Sequence, residues 1–368
     1  MSLRFRRLLA CCVPVVGLFF SLQAAASAGG AAGRPAGPRV GTTFSPVQCA
    51  YLGLDWKETF QKTLSLSFDI IRLAAYWDRI ERVPDVYDFS ELDWQIEQAR
   101  RAGVEVLLTV GMKAPRWPEF FIPAWVLEKE EIAFGSDVST HPYVRARALK
   151  FIEAVAAHYA GEASIVAWQV ENEPLNRAGA GQWRIGRSFL KEEIARVRRA
   201  DPAARPVVVN AMTYANRYLR FLARLAYRRN PVYEVAEIAD IPAYNIYPAI
   251  GERVLGAGMC FFSQPGRRLR YLEQIARAAV RRNKPFWVTE LQAEPWEPGQ
   301  LVHAARGMAL TCGPANIEEG FREAKRLGAD TVFLWGVEYW FFRQQVFGDP
   351  SWLEAVRRLR QEERTPAS

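Results

Sequence analysis

Two glutamates follow short apolar runs that lie far apart in the chain. Glu173 belongs to the segment WQVENEP at residues 168–174, and Glu290 comes directly after the run at 285–289. A pair of carboxyl groups can divide one reaction between them, because one donates a proton while the other attacks as a nucleophile. The two segments therefore predict a shared site in which one of Glu173 and Glu290 is the acid and the other is the nucleophile.

Side chains of complementary chemistry follow other apolar runs. A guanidinium would keep a nucleophilic carboxylate ionised, and burial would raise the pKa of the acid. Amide side chains can hydrogen-bond sugar hydroxyl groups, and indole rings are flat surfaces on which sugar rings can stack. Such an inventory suits hydrolysis of a glycosidic bond by two carboxyl groups. The predicted substrate-binding residues are Arg72, Asn172, Tyr247, Asn245, Trp335, Trp77 and Trp296.

Glu171 competes with Glu173 for the role of acid. The two residues are two positions apart, so they can share a face of an extended segment. Spacing alone leaves both glutamates as candidates for the acid.

The elements that must position these residues alternate along the chain. Strands are predicted at 40–44, 69–75, 104–110, 165–170, 207–210, 238–244, 285–289 and 331–335, and an amphipathic helix follows each of them. Several strands are continuous apolar runs, as in a parallel sheet buried on both faces. Eight such units predict a single-domain (β/α)₈ barrel, whose site lies at the carboxyl ends of the strands. The competing doubly wound sheet usually has a glycine-rich phosphate loop after its first strand, and none is found here.

The first 28 residues have the features of a secretory signal. Three arginines (Arg4, Arg6 and Arg7) precede an apolar stretch that ends in Ala-Ser-Ala. The predicted domains are a signal peptide at 1–28, a flexible linker at 29–39, the catalytic barrel at 40–361 and a tail at 362–368. The expected location is secreted or periplasmic. An uncleaved membrane anchor is the alternative, because the apolar stretch is near spanning length.

The composition of the chain indicates which classes of cofactor and partner are expected. The net charge of +8 is modest for 368 residues, and the basic residues are scattered along helices, so nucleic acid is not an expected partner. The chain has three histidines and no metal-binding motif, so no metal or other cofactor is expected. Three cysteines follow the signal segment, namely Cys49, Cys260 and Cys312. The sequence does not decide whether two of them form a disulfide. The expected partner is a carbohydrate, and a stable membrane partner is expected only if the signal stays attached.

These residues resemble the clan A glycoside hydrolases, which include cellulase-like family 5 and the β-galactosidase-like families. The resemblance rests on Asn172-Glu173-Pro174, on Glu290, on Arg72 and on the stretch IRLAAYWDRIERVPDVYDFSELDWQIEQARRAGVEVLLTVG. It covers residues 40–361. A family 5 chain commonly has His-x-Tyr after strand six, where this chain has Asn245-Ile246-Tyr247, so the resemblance is to the clan rather than to that family.

The resemblance implies a role for individual residues. Glu173 would be the general acid and base, and Glu290 the nucleophile that Arg72 keeps ionised. Asn172 would bind the 2-hydroxyl of the reacting sugar, and Trp335 would lie beneath that sugar. The expected function is therefore that of a retaining β-glycosidase acting by double displacement. A carbohydrate-binding protein that has lost catalysis, and a transglycosylase with the same residues, are the alternatives.

Overall fold

The computed structural model describes residues 37–227, 229–254 and 256–365. The predicted signal peptide and most of the predicted linker lie outside the described residues. Strands and helices alternate from the first described strand onward. The strands are β1 (Arg39–Thr43), β2 (Ile70–Ala74), β3 (Glu105–Val110), β4 (Ile165–Val170), β5 (Val207–Met212), β6 (Ile241–Ile246), β7 (Ala249–Val254), β8 (Ala257–Phe262), β9 (Trp287–Gln292) and β10 (Thr331–Trp335).

The helices cover the outside of the sheet and fill its loops. They are α1 (Pro46–Leu52), α2 (Trp56–Ser65), α3 (Trp77–Ile80), α4 (Ser90–Arg101), α5 (Ala124–Leu127), α6 (Pro142–His158), α7 (Arg187–Ala200), α8 (Arg217–Ala226), α9 (Pro231–Ile238), α10 (Pro265–Val280), α11 (Pro314–Arg326), α12 (Val337–Phe347) and α13 (Ser351–Arg364). A single 3₁₀ turn spans Val138–Thr140 within the described segments.

Eight of the described strands close into a parallel barrel in the order β1-β10-β9-β6-β5-β4-β3-β2. This confirms the predicted (β/α)₈ fold. The seventh barrel strand is β9, because β7 and β8 form a separate antiparallel hairpin between β6 and α10. All residues of β2, β5, β6, β9 and β10 are buried, which explains why these strands carry apolar residues at consecutive positions rather than at alternate ones.

The core has two parts on opposite sides of the strands. The larger one packs the strands against the surrounding helices. The smaller one fills the barrel interior with side chains from seven strands, the pattern expected of a barrel that is a packed core rather than a pore. Its members are Ile70, Leu107, Ala167, Val208, Ile241, Ala243, Trp287 and Phe333.

The connections after the strands contain elements that the sequence pattern does not predict. The helix α9 extends to Ile238, so β6 begins at Ile241 and not at 238. The hairpin of β7 and β8 and the helix α12 fill connections that the sequence pattern predicts as loops. These insertions lie beyond the carboxyl ends of β6 and β10, and they add walls to that end of the barrel.

Three further properties concern the described part of the chain. Cys49, Cys260 and Cys312 are all free thiols, so none of them forms a disulfide. No described helix is both long enough and apolar enough to cross a membrane. Across the described segments, no group of three or more His, Cys, Asp and Glu side chains is arranged to hold a metal ion.

Candidate active site

Glu290 lies within β9 with both carboxylate oxygens engaged. The Arg72 guanidinium on β2 donates to Oε1 at 2.7 Å, and the Tyr247 hydroxyl, just beyond β6, donates to Oε2 at 2.6 Å. Glu290 is 4% exposed, and Arg72 is fully buried. An ion pair this deep fixes the orientation of the carboxylate, because both partners would lose solvation if they separated.

The Arg72 side chain is itself held by neighbouring strands. Its Nε donates to the Thr43 hydroxyl at 2.8 Å, and another guanidinium nitrogen donates to the Gln169 amide oxygen at 3.3 Å. These contacts reach from β1 and β4 to β2, so four barrel strands, including β9, determine the position of the Glu290 carboxylate.

Glu173 lies just after β4 in a left-handed backbone conformation, with φ of 46°. Its backbone N–H donates to the Asn210 side chain at 2.7 Å, and its carboxyl Oε1 accepts from Asn245 Nδ2 at 2.6 Å. A positive φ is uncommon outside glycine, and strained residues of this kind cluster at functional sites. Side chains from the neighbouring strands β5 and β6 therefore fix the position and orientation of the Glu173 carboxyl.

The surroundings of Glu173 raise the pKa of its carboxyl to about 7. Burial is the largest cause, and the charges of Glu290 and Glu119 act in the same direction. Lys113 and the Asn245 amide lower the pKa and offset part of this effect. A carboxyl with such a pKa keeps its proton near neutral pH, as a general acid must.

A network of amide side chains surrounds Glu173 and reaches the strand that carries Glu290. Asn245 binds Glu173, and it is also the register partner of Glu290 across β6 and β9. The Asn245 oxygen accepts from the Thr289 hydroxyl at 2.7 Å, which fixes the direction of the amide. Asn210 donates to the Asn172 oxygen at 2.9 Å. These bonds bring Asn172 and Asn245 to the same end of the barrel as the two glutamates.

Glu171 faces away from this cluster and ties down the loop after β3. Its carboxylate accepts from the backbone N–H groups of Met112 at 2.8 Å and Lys113 at 2.6 Å. Burial, the largest cause, raises its pKa to about 7, and Glu193 on α7 lies against it. The geometry therefore gives Glu171 a structural position and leaves Glu173 as the carboxyl beside Glu290.

Lys113 contacts the backbone of Glu173. Its Nζ donates to the Glu173 backbone carbonyl at 3.0 Å and pairs with Glu119 at 3.3 Å. The side chain is fully buried, so its charge acts on its neighbours with little screening by water.

Trp335 and Trp296 lie on the Glu290 side of the site. Trp335, which ends β10, is 9% exposed, and the Arg116 guanidinium lies over its ring at 3.9 Å. Arg116 also pairs with the buried carboxylates of Glu294 and Glu338. The Trp296 ring meets the Tyr247 ring edge to face at 5.1 Å, so it supports the tyrosine that binds Glu290.

The structure brings most of the predicted residues together. The residues at the site are Glu173, Glu290, Arg72, Asn172, Asn245, Tyr247, Trp335 and Trp296. Trp77 is the exception and requires a correction. Its indole is fully buried on α3, stacks on Phe151 of α6 at 5.5 Å and donates to Glu81 at 2.6 Å. Trp77 is therefore a core residue that cannot contact a substrate here.

Sequence reasoning missed Thr43, Gln169 and Arg116. Thr43 and Gln169 lie at or near the carboxyl ends of β1 and β4. Gln169 is the one polar residue within the strand β4, which could have identified it. Arg116 lies in a loop rich in proline and aromatic residues, and no sequence signal indicates that it reaches Trp335.

Comparison with known proteins gives a consistent result. A family model described as β-galactosidase, glycoside hydrolase family 42, matches residues 51–180. The β-galactosidase BgaA of Clostridium cellulovorans is 24% identical over 133 residues, which are 32% of this chain and 19% of that protein. The chain therefore spans about a fifth of the length of this relative.

Solved structures agree with the fold. The GH5_18 protein of Streptomyces cattleya matches with a TM-score of 0.58 and 15% identity, covering 90% of this chain and 83% of that one. The GH42 β-galactosidase Gan42B of G. stearothermophilus matches with a TM-score of 0.56 and 14% identity, covering 81% and 51%. The resemblance to the clan A glycoside hydrolases that the two glutamate motifs predicted is therefore confirmed, and over residues 51–180 it is to a β-galactosidase family.

Proposed function

We propose that the protein is a retaining β-glycosidase that uses Glu290 as nucleophile and Glu173 as general acid and base. The observation that carries the proposal is the contrast between the two carboxyl groups. Glu290 is ion-paired with Arg72, whereas burial raises the pKa of Glu173 to about 7. A carboxylate held in a buried ion pair is suited to act as a nucleophile, and a carboxyl whose pKa is raised is suited to act as an acid.

In the first step, a Glu290 oxygen attacks the anomeric carbon. The bond from that carbon to the leaving oxygen breaks, and the Glu173 proton moves to the leaving oxygen. The product is a glycosyl ester of Glu290 together with the free leaving group. The Tyr247 hydroxyl and Arg72 hold the nucleophile for in-line attack, since each donates to one of its oxygens.

In the second step, Glu173 acts as a base. It takes a proton from water, the water oxygen attacks the anomeric carbon, and the ester bond to Glu290 breaks. The sugar is released with its original anomeric configuration, and both carboxyl groups return to their starting protonation states. In this proposal Asn172 binds a sugar hydroxyl beside the reacting carbon, which is supported by the orientation of its amide, whose oxygen accepts from Asn210 and Gln169.

The first test is activity of the full chain on aryl β-glycosides and dye-linked polysaccharides. Aryl β-galactosides head the panel, because the similar family and BgaA are named for that activity. Glu290→Gln and Glu173→Gln are each expected to lose at least about a thousandfold in kcat/KM on substrates with poor leaving groups. The matched control is Glu131→Gln, an exposed glutamate in the loop after α5, which should leave activity unchanged.

Product analysis decides the mechanism. NMR spectra recorded during hydrolysis should show the β-anomer first. Azide should rescue Glu290→Ala by forming an α-glycosyl azide and Glu173→Ala by forming a β-glycosyl azide. Initial formation of the α-anomer would contradict double displacement, and full activity of Glu290→Gln would contradict the assignment of the nucleophile. Transfer to added sugars faster than to water would indicate a transglycosylase. Saturable sugar binding without turnover of any substrate would indicate a binding protein.

A further inference from the structure

A cavity lies next to the segment that follows Glu173. It has a volume of about 860 Å³ and is formed by α8, α10 and the segments around α9. This volume is within the range of about 300–1,000 Å³ typical of sites for small ligands. Five arginines line it, and no Asp or Glu does. The five are Arg217, Arg220, Arg224, Arg267 and Arg270.

These arginines are gathered around one cavity whose lining contains no acidic residue. Within the described part of the chain, none of the five forms an ion pair with an Asp or Glu. By contrast, Arg268 on the same helix α10 pairs with Glu323 at 2.7 Å. Five guanidinium groups around one cavity repel each other, so an anionic ligand would relieve this repulsion. Guanidinium groups also match carboxylate, sulfate and phosphate groups with two parallel hydrogen bonds.

The cavity wall also contains aromatic side chains. Tyr214, Tyr227, Tyr233 and Tyr271 all line it, and Arg220 lies over the Tyr271 ring at 4.0 Å. A ligand with an extended ring face as well as negative charge would use both kinds of side chain. This combination favours an acidic sugar over a compact inorganic anion.

Two contacts connect the cavity to the segment that follows Glu173, and a third lies within the cavity wall. The Asn176 amide donates to the Tyr214 hydroxyl at 3.3 Å, and the Arg177 backbone N–H donates to the Tyr227 hydroxyl at 3.0 Å. Arg220 donates to the Tyr214 carbonyl at 3.3 Å. The cavity therefore adjoins the acid, which protonates the leaving group, rather than the nucleophile.

We propose that this arginine-lined cavity binds the leaving-group side of an acidic glycan, one that carries carboxylate or sulfate groups. The assignment rests on the proposed glycosidase function, because it names the class of substrate for that same site. The chain would then act on a sugar linked to a negatively charged oligosaccharide.

Binding can be measured separately from hydrolysis. The probe is a β-1,4-linked tetrasaccharide of glucuronic acid, and the matched neutral probe is cellotetraose, which has the same backbone without charge. Calorimetric titration into the full chain carrying Glu290→Gln avoids cleavage. We expect the acidic probe to bind at least about tenfold more tightly at low salt and to lose most of this advantage at 0.5 M NaCl.

Variants locate the binding. Arg220→Gln combined with Arg270→Gln, one arginine from each wall, should reduce the preference to about twofold or less. The pair Arg217→Gln and Arg267→Gln serves as a second, independent test. Arg199→Gln removes an exposed arginine at the end of α7 and should leave the preference unchanged. Thermal unfolding of each variant shows whether it is folded.

The outcomes of these titrations support or overturn the proposed binding of an acidic glycan. Equal affinity for the two probes, or equal losses in the Arg199→Gln control, would overturn the proposal. Vesicles of phosphatidylglycerol and phosphatidylcholine test the competing source of anions. Arginine-dependent binding to these vesicles without binding of the tetrasaccharide would assign the cavity to a membrane surface instead. Failure of the glycosidase proposal is visible separately, as acidic-probe binding in a protein that hydrolyses no aryl glycoside.

Discussion

Removal of the buried charge of Lys113 should move the alkaline limit of activity upward. Lys113 lowers the pKa of Glu173, and its Nζ lies 3.0 Å from the Glu173 carbonyl oxygen. Two unit charges about 7 Å apart interact by roughly 2 kcal/mol at an effective dielectric constant near 20. That energy corresponds to about 1.5 pKa units. Glu119 raises the same pKa and would turn toward solvent without its lysine, so we expect a net rise of about one unit in Lys113→Met.

The assay is the pH dependence of kcat/KM on two aryl glycosides. The alkaline limb on a substrate with a poor leaving group reports the pKa of the acid in the free enzyme. This limb should fall near pH 7 in the natural chain and near pH 8 in Lys113→Met. A substrate with a dinitrophenyl leaving group needs little protonation, so its profile should change much less.

Lys113→Arg is the matched control, because it keeps the charge at this position. Its alkaline limb should stay within about 0.3 pH units of that of the natural chain. A limb that does not move in Lys113→Met, or that moves to lower pH, would refute the electrostatic reasoning. Equal shifts in the two variants would mean that displacement of the loop, rather than loss of charge, is responsible.

Three further predictions concern stability and the corrected residue. Burial raises the pKa of both Glu171 and Glu193 above their usual range, so folding favours their protonated forms and stability falls as pH rises from about 4.5 through their folded-state pKa values. Glu193→Gln should therefore raise Tm at pH 8 by at least about 2 °C and much less at pH 5, and an equal gain at both would contradict this coupling. Trp77→Phe should lower the free energy of unfolding in urea by about 1–3 kcal/mol without changing KM, whereas a higher KM with normal stability would return Trp77 to the site. Arg205 donates to the Asp201 carboxylate and to carbonyls of residues before and within β4, so Arg205→Lys should cost about 2 kcal/mol by thermal unfolding while kcat stays unchanged; a fall in kcat with unchanged Tm would contradict it.

The barrel could be predicted from the sequence because its strands carry a strong and simple signal. The strands β4 and β10 are runs of apolar and β-branched residues, and their observed bounds equal the predicted ones. The predicted start of β6 is wrong because Ile238 extends the apolar run backward, although it belongs to α9. A short apolar run cannot by itself distinguish a strand from a buried helix segment. The hairpin of β7 and β8 lacked a signal, since most of its residues are exposed.

The site was predictable to the extent that its residues are fixed by the strands. Arg72, Asn245 and Glu290 lie within β2, β6 and β9, so the barrel topology alone places them at one end. Arg116 depends on the path of a long loop, which no local pattern determines. The sequence does not distinguish Trp77 from Trp335 as a substrate-binding residue, because it does not show whether an indole packs against a helix or lines a cleft. The structure distinguishes them by the partner each ring contacts.

The attachment of Glu171 to the loop after β3 has a consequence for engineering. The Glu171 carboxylate occupies the space beside Gly111, where a Cβ atom would lie 2.3 Å from it, and Gly111 has φ of 133°. The loop that begins at Gly111 and the segment that carries the acid therefore interlock through backbone and carboxylate. A loop transplanted from another barrel would fit only if both segments were exchanged together. Mutant libraries that vary the loops at this end of the barrel should therefore exchange residues 111–113 and 171–176 together.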